Sequence, residues 1–331
     1  MRVASVVVLG GLGLGACDGR PGASVRATAS ATPTSTTAPM SSASVTPAHS
    51  ELRAGASATS GASSATEPPS NARAAPHAIV YGWGPTSRDS LEQRFAAPKD
   101  FHRVPAAPGS FAAFLRSLPL LPRTAEVRSY RDETIVSAND ARLGAVVDID
   151  VGTANLQQCA DSVIRMHAEW RRQTGRGDVT YRSSSGFPMT YARYRMGDRF
   201  VIRGTDLTWE HRAAANDSRA SFRSYLDQVF TYANTVSLAR DTQTPDRHDV
   251  RAGDFFVLPG APGHAVLVLD IVHDATGKQK ALLGQGFMPA QSFHVLRDEA
   301  AKSVWFSLDE ESIATPFWSA PFPWSSLRRF E

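Results

Sequence analysis

The sequence predicts an α+β fold, because long helical patterns precede three consecutive strand patterns. Apolar residues recur at intervals of three and four over about 156–170 and 221–238, as they do along one face of a helix. Strand-like runs follow over 252–258, 260–270 and 281–287, and the middle run is apolar on both faces, as in a central strand. We therefore expect a single domain over 77–331, in which helices pack on one sheet.

Residues 1–17 have the features of a secretory signal. Arg2 precedes a short apolar run, and the ending Leu14-Gly15-Ala16-Cys17 resembles a bacterial lipobox, in which the signal is cut before a cysteine that is then lipidated. Two acyl chains on Cys17 would hold the chain stably on a lipid bilayer. We therefore expect a membrane-anchored lipoprotein of the bacterial cell envelope, facing the periplasm or the exterior.

Residues 18–76 are dominated by Ala, Ser, Thr, Pro and Gly. Such a composition cannot bury enough apolar surface to offset the entropy of ordering, so the segment is predicted to be a disordered tether. A flexible coil of this length has a mean span of about 40–45 Å. The tether either gives the anchored domain reach towards the cell wall or serves only as a solubilising spacer.

The overall composition narrows the possible partners. The chain has 331 residues and a formal net charge of only +3, which is too small to indicate a nucleic-acid partner. No run reaches the roughly 18 apolar residues that a membrane span needs. His273 and His294 are possible companions of His264 in a metal site, but no tight spacing such as His-Glu-x-x-His occurs, so we expect no metal and no cofactor.

Cys159 is the one thiol left once Cys17 has become the anchor, in a compartment where thiols tend to oxidise. Asn155 and Gln158 have the spacing of a capping box, which predicts Cys159 in the first turn of a helix, towards the core. The positive end of the helix dipole would favour the thiolate there. The alternative is a buried cysteine that packs as a small apolar residue.

His264 and Gln285 are predicted to be neighbours in the sheet. His264 follows a glycine- and proline-rich turn at the start of the central strand pattern. A hairpin centred near 275–276 would place Gln285 opposite Val266 and beside His264, whereas a slip of one residue would turn Gln285 to the other face.

Three strand motifs resemble the C-terminal half of NlpC-type and CHAP-type papain-like amidases. They are the Gly-Asp-aromatic motif at 253–255, the Gly-His motif at 263–264, and the strand that carries Gln285. That resemblance implies a papain-like fold, with the nucleophile helix packed on an antiparallel sheet. The segments LQQCAD (156–161), PGHAV (262–266) and FMPAQ (287–291) resemble more closely a family of bacterial lipoproteins, domain of unknown function 4846. The closer resemblance extends from about Ile79 to the C-terminus and brings no assigned activity.

The papain-like resemblance implies roles for three residues. Cys159 would attack an amide carbonyl as the nucleophile, and His264 would accept and return the proton. Gln285 would orient the imidazole through a hydrogen bond.

Further residues would support this site. The backbone N–H of the cysteine, together with the side chain of Gln158 or Gln157, would form an oxyanion hole. Asp254 is expected either to cap a turn or to be an alternative orienting group. Asp148 and Asp150 occupy alternate positions on a strand just before the cysteine helix. We expect both to be solvated carboxylates; the alternative is that they support the site or bind a cation.

The sequence therefore predicts an envelope-anchored cysteine amidase or peptidase, with the amides of peptidoglycan stem peptides as its substrate class. The alternatives are a non-catalytic module that binds cell wall or protein on the same fold, and an acyl or peptidyl transferase that uses the same residues. An aromatic-rich tail is expected to pack over the core, with a sugar-stacking platform as the alternative. It comprises Phe317, Trp318, Phe322, Trp324 and Phe330.

Overall fold

The computed structural model describes residues 81–87 and 89–331. The predicted signal over 1–17, its lipidation residue Cys17 and the predicted tether over 18–76 lie outside the described residues. Along the part of the chain that is described, no helix combines the length and the apolar character needed to cross a bilayer.

Six α-helices are formed by the described residues. They are α1 (Leu91–Arg94), α2 (Phe111–Arg116), α3 (Cys159–Gln173), α4 (Tyr191–Arg195), α5 (Arg219–Tyr232) and α6 (Thr235–Arg240). Ser110 caps α2, as its position in the sequence predicts, by accepting a hydrogen bond from the Ala113 N–H.

Sixteen short strands accompany these helices in the described ranges. They are β1 (Phe101–Arg103), β2 (Val127–Arg128), β3 (Thr134–Val136), β4 (Leu143–Val146), β5 (Thr180–Arg182), β6 (Pro188–Thr190), β7 (Asp198–Arg203), β8 (Asp206–His211), β9 (Phe255–Leu258), β10 (His264–Asp274), β11 (Gln279–Gln285), β12 (His294–Leu296), β13 (Trp305–Ser307), β14 (Ser312–Ile313), β15 (Phe322–Pro323) and β16 (Leu327–Arg328).

The main sheet is antiparallel and has the order β16-β9-β10-β11-β12-β4, with β1 on β10 and β13 on β11. The α+β class is confirmed. Strand β10 is central, as its continuous apolar run predicts, and its residues 264–272 are all buried. Leu267 lies opposite Gly284, so Val266 faces Gln285 in the register that the hairpin prediction requires.

The sheet is covered on both faces. On one face Ala265, Leu267 and Leu269 of β10 pack in a cluster that includes the apolar residues of α3. On the other face Val266 and Val268 pack with tail residues, among them Phe322 and Leu327. The expectation that much of the aromatic tail packs over the core is therefore confirmed. Residues 265–269 of β10 alternate between the two faces, as in a regular strand, until a bulge between Val268 and Asp270 interrupts the alternation.

Helix α3 begins three residues later than predicted, at Cys159. Gln158 is the N-cap residue, and its N–H donates to the Asp161 carboxylate at 3.1 Å. Asn155, the predicted cap, instead accepts a hydrogen bond from the Ala290 N–H at 2.7 Å. The predicted cap was wrong because a long-range contact takes the Asn155 side chain, and Cys159 consequently occupies the first helical position.

The predicted helix over 221–238 is two helices, α5 and α6. Asn234 breaks it, because its side chain accepts hydrogen bonds from the N–H groups of Val236 and Ser237 and so starts a new helix.

Candidate active site

A hydrogen-bonded row of three side chains runs across β10, β11 and β12. His264 Nε2 lies 2.7 Å from Gln285 Oε1, and Gln285 Nε2 lies 3.3 Å from His294 Nε2. His294 Nδ1 lies 3.0 Å from the Ser292 carbonyl oxygen. All three side chains belong to residues that are at most 1% exposed. The structure therefore places His264 and Gln285 in contact and adds His294, which sequence reasoning considered only as a metal ligand.

Burial keeps both imidazoles neutral near pH 7, since it lowers the pKa of His264 and of His294 from 6.5 to about 4. The neighbouring hydrogen bonds then determine where each proton resides. A carbonyl oxygen only accepts, so His294 Nδ1 carries the hydrogen and its Nε2 accepts from the Gln285 amide. Gln285 consequently turns its oxygen to His264, whose Nε2 must carry the hydrogen. The lone pair of His264 is therefore on Nδ1.

Cys159 lies against the backbone on either side of His264. Its Sγ donates to the Gly263 carbonyl oxygen at 3.9 Å, and the Ala265 N–H is among the groups that favour its thiolate. A Cβ atom at Gly286 would collide with Ser162 Oγ and approach the Gln158 carbonyl oxygen. The start of α3 therefore packs closely against the end of β11. Tight backbone packing thus fixes the sulfur beside the strand that carries the imidazole.

The pKa of the Cys159 thiol is raised to about 11. Burial is the largest cause, and the negative charge of Asp161 adds to it, against the N–H groups of Ala160, Ala265 and Cys159 itself. The expectation that the helix N-terminus would yield a thiolate is wrong for this closed conformation, because desolvation outweighs the helix dipole.

Cys159 and His264 are not joined by a hydrogen bond in the described structure. The imidazole stacks on tail residues and so lies on the tail side of the sheet, whereas α3 packs on the opposite side. The thiol therefore meets the edge of β10 in the region where β10 is not paired with β11.

Asp161 is a feature of this site that sequence reasoning missed. Burial of its carboxyl group raises its pKa well above the usual value, and its Oδ1 has no hydrogen-bond partner. The Ser162 hydroxyl beside it is also buried and unpartnered. The spacing of Asp161 from Gln158 is the sequence signal that would have found it, since an acidic residue at this position closes a capping box.

An aromatic segment closes the site. We define the cover loop as residues 314–321, between β14 and β15. Trp318 of this loop stacks on His264 with ring centroids 4.9 Å apart, and Phe287 meets the same imidazole edge-on at 4.8 Å.

The cover loop has three unfavourable features. Phe317 has a φ of 70°, the buried Trp318 indole N–H has no acceptor, and Thr315 Oγ1 is buried without a partner. A bulky residue in the left-handed region costs about 1–2 kcal/mol, and an unpaired buried donor costs about 1–3 kcal/mol. These costs reduce the free energy that holds the cover loop closed.

The residues predicted as oxyanion donors have other partners. Gln157 is buried, and its oxygen accepts from Arg165 at 2.7 Å and from Arg223 at 3.1 Å. Both arginines also bind Asp150, at 2.9 Å each. Gln158 is half-buried, and its amide donates to Asn155 at 3.3 Å.

The two remaining aspartates are structural. The Asp254 carboxylate binds the Arg329 guanidinium at 2.6 and 2.8 Å and caps the turn at the Arg251 N–H. It does not hydrogen-bond His264, whose partner is Gln285. Asp148 accepts from the backbone N–H groups of Thr86 and Ser87 and so fastens the N-terminal loop.

His273 lies at the far end of β10, opposite Gln279, and does not join the row of His264 and His294. In residues 81–87 and 89–331, no group of three or more His, Cys, Asp or Glu side chains is arranged to hold a metal ion.

The fold and the site together define an α+β domain in which a buried thiol lies beside a row of polar side chains on an antiparallel sheet. The family described as Domain of unknown function (4846) matches residues 91–329, and the chain belongs to it. The matched segment contains Cys159, the His264 row and the cover loop. The searches of curated proteins and of solved structures gave no match.

Proposed function

We propose that this domain is an envelope-anchored cysteine amidase or peptidase with Cys159, His264 and Gln285 as its catalytic residues. The observation that supports this most is the buried row from His264 to His294. Burying three polar side chains is costly, and this row leaves the lone pair of one imidazole on Nδ1, as a general base requires. Papain-like amidases use the same types of residue in the same chain order.

The proposed reaction is a two-step acyl transfer. His264 Nδ1 accepts the proton of Cys159, and the sulfur attacks the amide carbonyl carbon. The amine leaves with the proton from Nδ1, and a thioester remains on the sulfur. Water then attacks the thioester, gives a proton to Nδ1, and releases the acid while the thiol is restored. The N–H groups of Cys159 and Ala160, which favour the thiolate, would serve as donors to the developing oxyanion.

The reaction requires the cover loop to open. Cys159 is only 5% exposed and the three row residues less, so no substrate reaches them in the closed conformation. Opening would free the Trp318 indole and relax Phe317, which offsets part of the lost aromatic packing. Opening would also admit water to His264, which removes part of the desolvation that lowers the pKa of its imidazole.

Peptidoglycan stem peptides are the proposed substrates. The lipobox-like Cys17 and the tether would hold the domain near the cell wall, and NlpC-type enzymes act on such amides. This step depends on location and on analogy with those enzymes. Acyl transfer to an amine instead of water would use the same residues.

A non-catalytic binding module is the second candidate. The raised pKa of Cys159 and the missing hydrogen bond between Cys159 and His264 favour it, because both are typical of a structural cysteine.

Stem-peptide cleavage by the full-length chain, followed by mass spectrometry, separates the two candidates. We expect Cys159→Ala and His264→Ala to abolish cleavage, and Gln285→Ala to leave a reduced rate. His273→Ala is the matched control, because this histidine lies on the same strand outside the row, and it should keep the wild-type rate.

Labelling of Cys159 by iodoacetamide tests the binding-module candidate. The tryptic peptide 143–165 contains Cys159 and is separate from the peptide that contains Cys17. A thiol that stays unlabelled until denaturant is added, in a protein that cleaves no stem peptide, would favour the binding module. Release of a new amide in the presence of an added amine would indicate transfer.

A further inference from the structure

An arginine-rich cleft lies at the opposite end of α3 from Cys159. The helix has 15 residues, so the two ends are about 21 Å apart at a rise of 1.5 Å per residue. The cleft has a volume of about 580 Å³, within the usual range of small-molecule sites. Its charged lining consists of Arg171, Arg172, Arg176, Arg195, Asp178 and Asp217. Four cations and two anions give it a formal net charge of +2.

Two of the four arginines are neutralised inside the cleft. Arg172 binds Asp217 at 2.8 Å, and the pKa of that carboxyl group is lowered by this contact first and by the Tyr191 hydroxyl second. Arg195 binds Asp178 at 3.2 Å. These pairs position the walls of the cleft but leave no carboxylate for the other two arginines.

Arg171 and Arg176 have no carboxylate partner among the described residues. Arg171 donates its Nε–H to the Arg176 carbonyl oxygen at 3.1 Å, which leaves its two terminal amino groups unpaired in the described structure. The Arg176 guanidinium lies 6.0 Å from the Trp170 ring and makes no ion pair with the described residues. Both residues line the cleft, which therefore contains two positive charges without a carboxylate partner.

The backbone of the cleft adds further donors. Gly175 ends the helical segment with a φ of 72°, and nothing lies within 4 Å of the position that a side chain would occupy there. The N–H groups of Gly177 and Asp178, both in the lining, have no acceptor within the described ranges. Unpaired backbone N–H groups beside guanidinium groups are a typical anion-binding arrangement.

The helix dipole of α3 explains only part of why arginines gather at its C-terminal end. Cations near a helix C-terminus are favourable, and Arg171 and Arg172 lie in the last turn. The terminal carbonyl groups, however, already accept backbone hydrogen bonds: Trp170 from Thr174, Arg172 from Gly175, and Arg171 from Arg176. Helix capping therefore leaves the guanidinium groups free for another partner.

We propose that this cleft binds a phosphate group through Arg171 and Arg176. A planar guanidinium group donates two parallel hydrogen bonds to phosphate oxygens, and two such groups match the charge of a phosphate dianion. The site goes beyond the proposed catalysis and does not depend on Cys159. The phosphate belongs either to a soluble phosphorylated molecule or to the headgroup of an anionic lipid.

Isothermal titration of the full-length chain with sodium phosphate and with pyrophosphate tests the site, at an ionic strength held constant with chloride. We expect binding to the wild type, and a Kd weakened by about a hundredfold in the double variant Arg171→Gln/Arg176→Gln, because each of the two lost charge-assisted contacts costs about a factor of ten. The double variant Arg123→Gln/Arg131→Gln is the matched control. It removes the same charge from exposed arginines that do not line the cleft, and it should bind as the wild type does.

Vesicles separate the two sources of the phosphate. The vesicle test uses the full-length Cys17→Ala chain, which cannot be acylated. Sedimentation of this chain with phosphatidylglycerol vesicles, but not with phosphatidylcholine vesicles, that is lost when Arg171→Gln/Arg176→Gln is added would identify a lipid headgroup. Binding of soluble phosphate in the titration, without sedimentation on either kind of vesicle, would identify a soluble ligand. The proposal is wrong if both double variants weaken binding equally, if acetate at the same ionic strength gives the same heat, or if neither phosphate nor anionic vesicles bind.

Discussion

The substitution Gln285→Leu tests the hydrogen-bonded row, because Gln285 is its central member. The amide satisfies His264 Nε2 at 2.7 Å and His294 Nε2 at 3.3 Å, both in the buried core. Leucine has a similar volume but no polar atom, so both nitrogen atoms lose their partner. Each unpartnered buried group costs about 1–3 kcal/mol, and the apolar side chain recovers part of this. We expect the free energy of unfolding to fall by about 2–4 kcal/mol.

Gln291→Leu is the matched control. Gln291 is 2% exposed, which is close to the burial of Gln285, but its Oε1 has no hydrogen-bond partner. Removing its amide therefore leaves no partner group unpaired, and we expect a change near zero or a small gain. Guanidinium chloride denaturation of the two variants and the wild type measures the difference. Equal losses of unfolding free energy in both variants would show that the hydrogen bonds of the row add nothing to stability beyond the burial of the side chain.

Nitrogen-15 NMR of the imidazoles gives a second, independent readout of the row. In the wild type we expect the hydrogen of His264 on Nε2 and that of His294 on Nδ1, as the hydrogen bonds require. In Gln285→Leu this preference should weaken, because the acceptor that holds the His264 hydrogen is gone. A wild-type His264 that carries its hydrogen on Nδ1 would refute the assigned tautomer and the proposed base.

Three other perturbations act on the same site. Asp161→Asn removes the charge that, after burial, helps to raise the pKa of Cys159, so the midpoint of iodoacetamide labelling against pH should fall; an unchanged midpoint would contradict this. Trp318→Ala removes the ring that stacks on His264 and should raise the pKa of that imidazole from about 4 towards 6.5, because water reaches it; an unchanged pKa in nitrogen-15 NMR would show that the cover loop does not desolvate the imidazole. Acid should destabilise the domain through His264 and His294, because the unfolded chain takes up protons near pH 6.5 and the folded one only near pH 4. Their contribution is complete above about pH 6.5 and falls by about 3 kcal/mol per histidine towards pH 4, which thermal unfolding at several pH values measures. A flat profile over that window would contradict the lowered pKa values.

The central strand could be predicted because its continuous apolar run is a local pattern. The hairpin after Asp274 was also predictable, but the pairing next to the turn would set Gln285 opposite Leu267. A bulge between Val268 and Asp270 shifts the register by one residue, and Gln285 consequently falls beside His264. The family, too, was recognisable from short motifs, and its match over residues 91–329 confirms the resemblance.

The start of α3 and the partners of the supporting residues could not be predicted. Asn155 had the right spacing for a cap, but Ala290, which is distant in the sequence, takes its side chain. Gln157 was expected as an oxyanion donor, but in the structure its side chain is held by Arg165 and Arg223, which donate to its oxygen. Propensities describe neighbours along the chain, whereas these contacts are settled by packing between distant segments.

The sequence by itself determined the α+β class, the family, and the positions of Cys159 and His264 at the beginnings of a helix and a strand. Only the tertiary structure decided the protonation state of the site. The pKa of an ionisable group depends on how much water and which charges surround it, and no pattern along the chain records either. The burial that raises the pKa of Cys159, the row through Gln285 to His294, and the Trp318 cover all arise where separate segments meet in the folded domain.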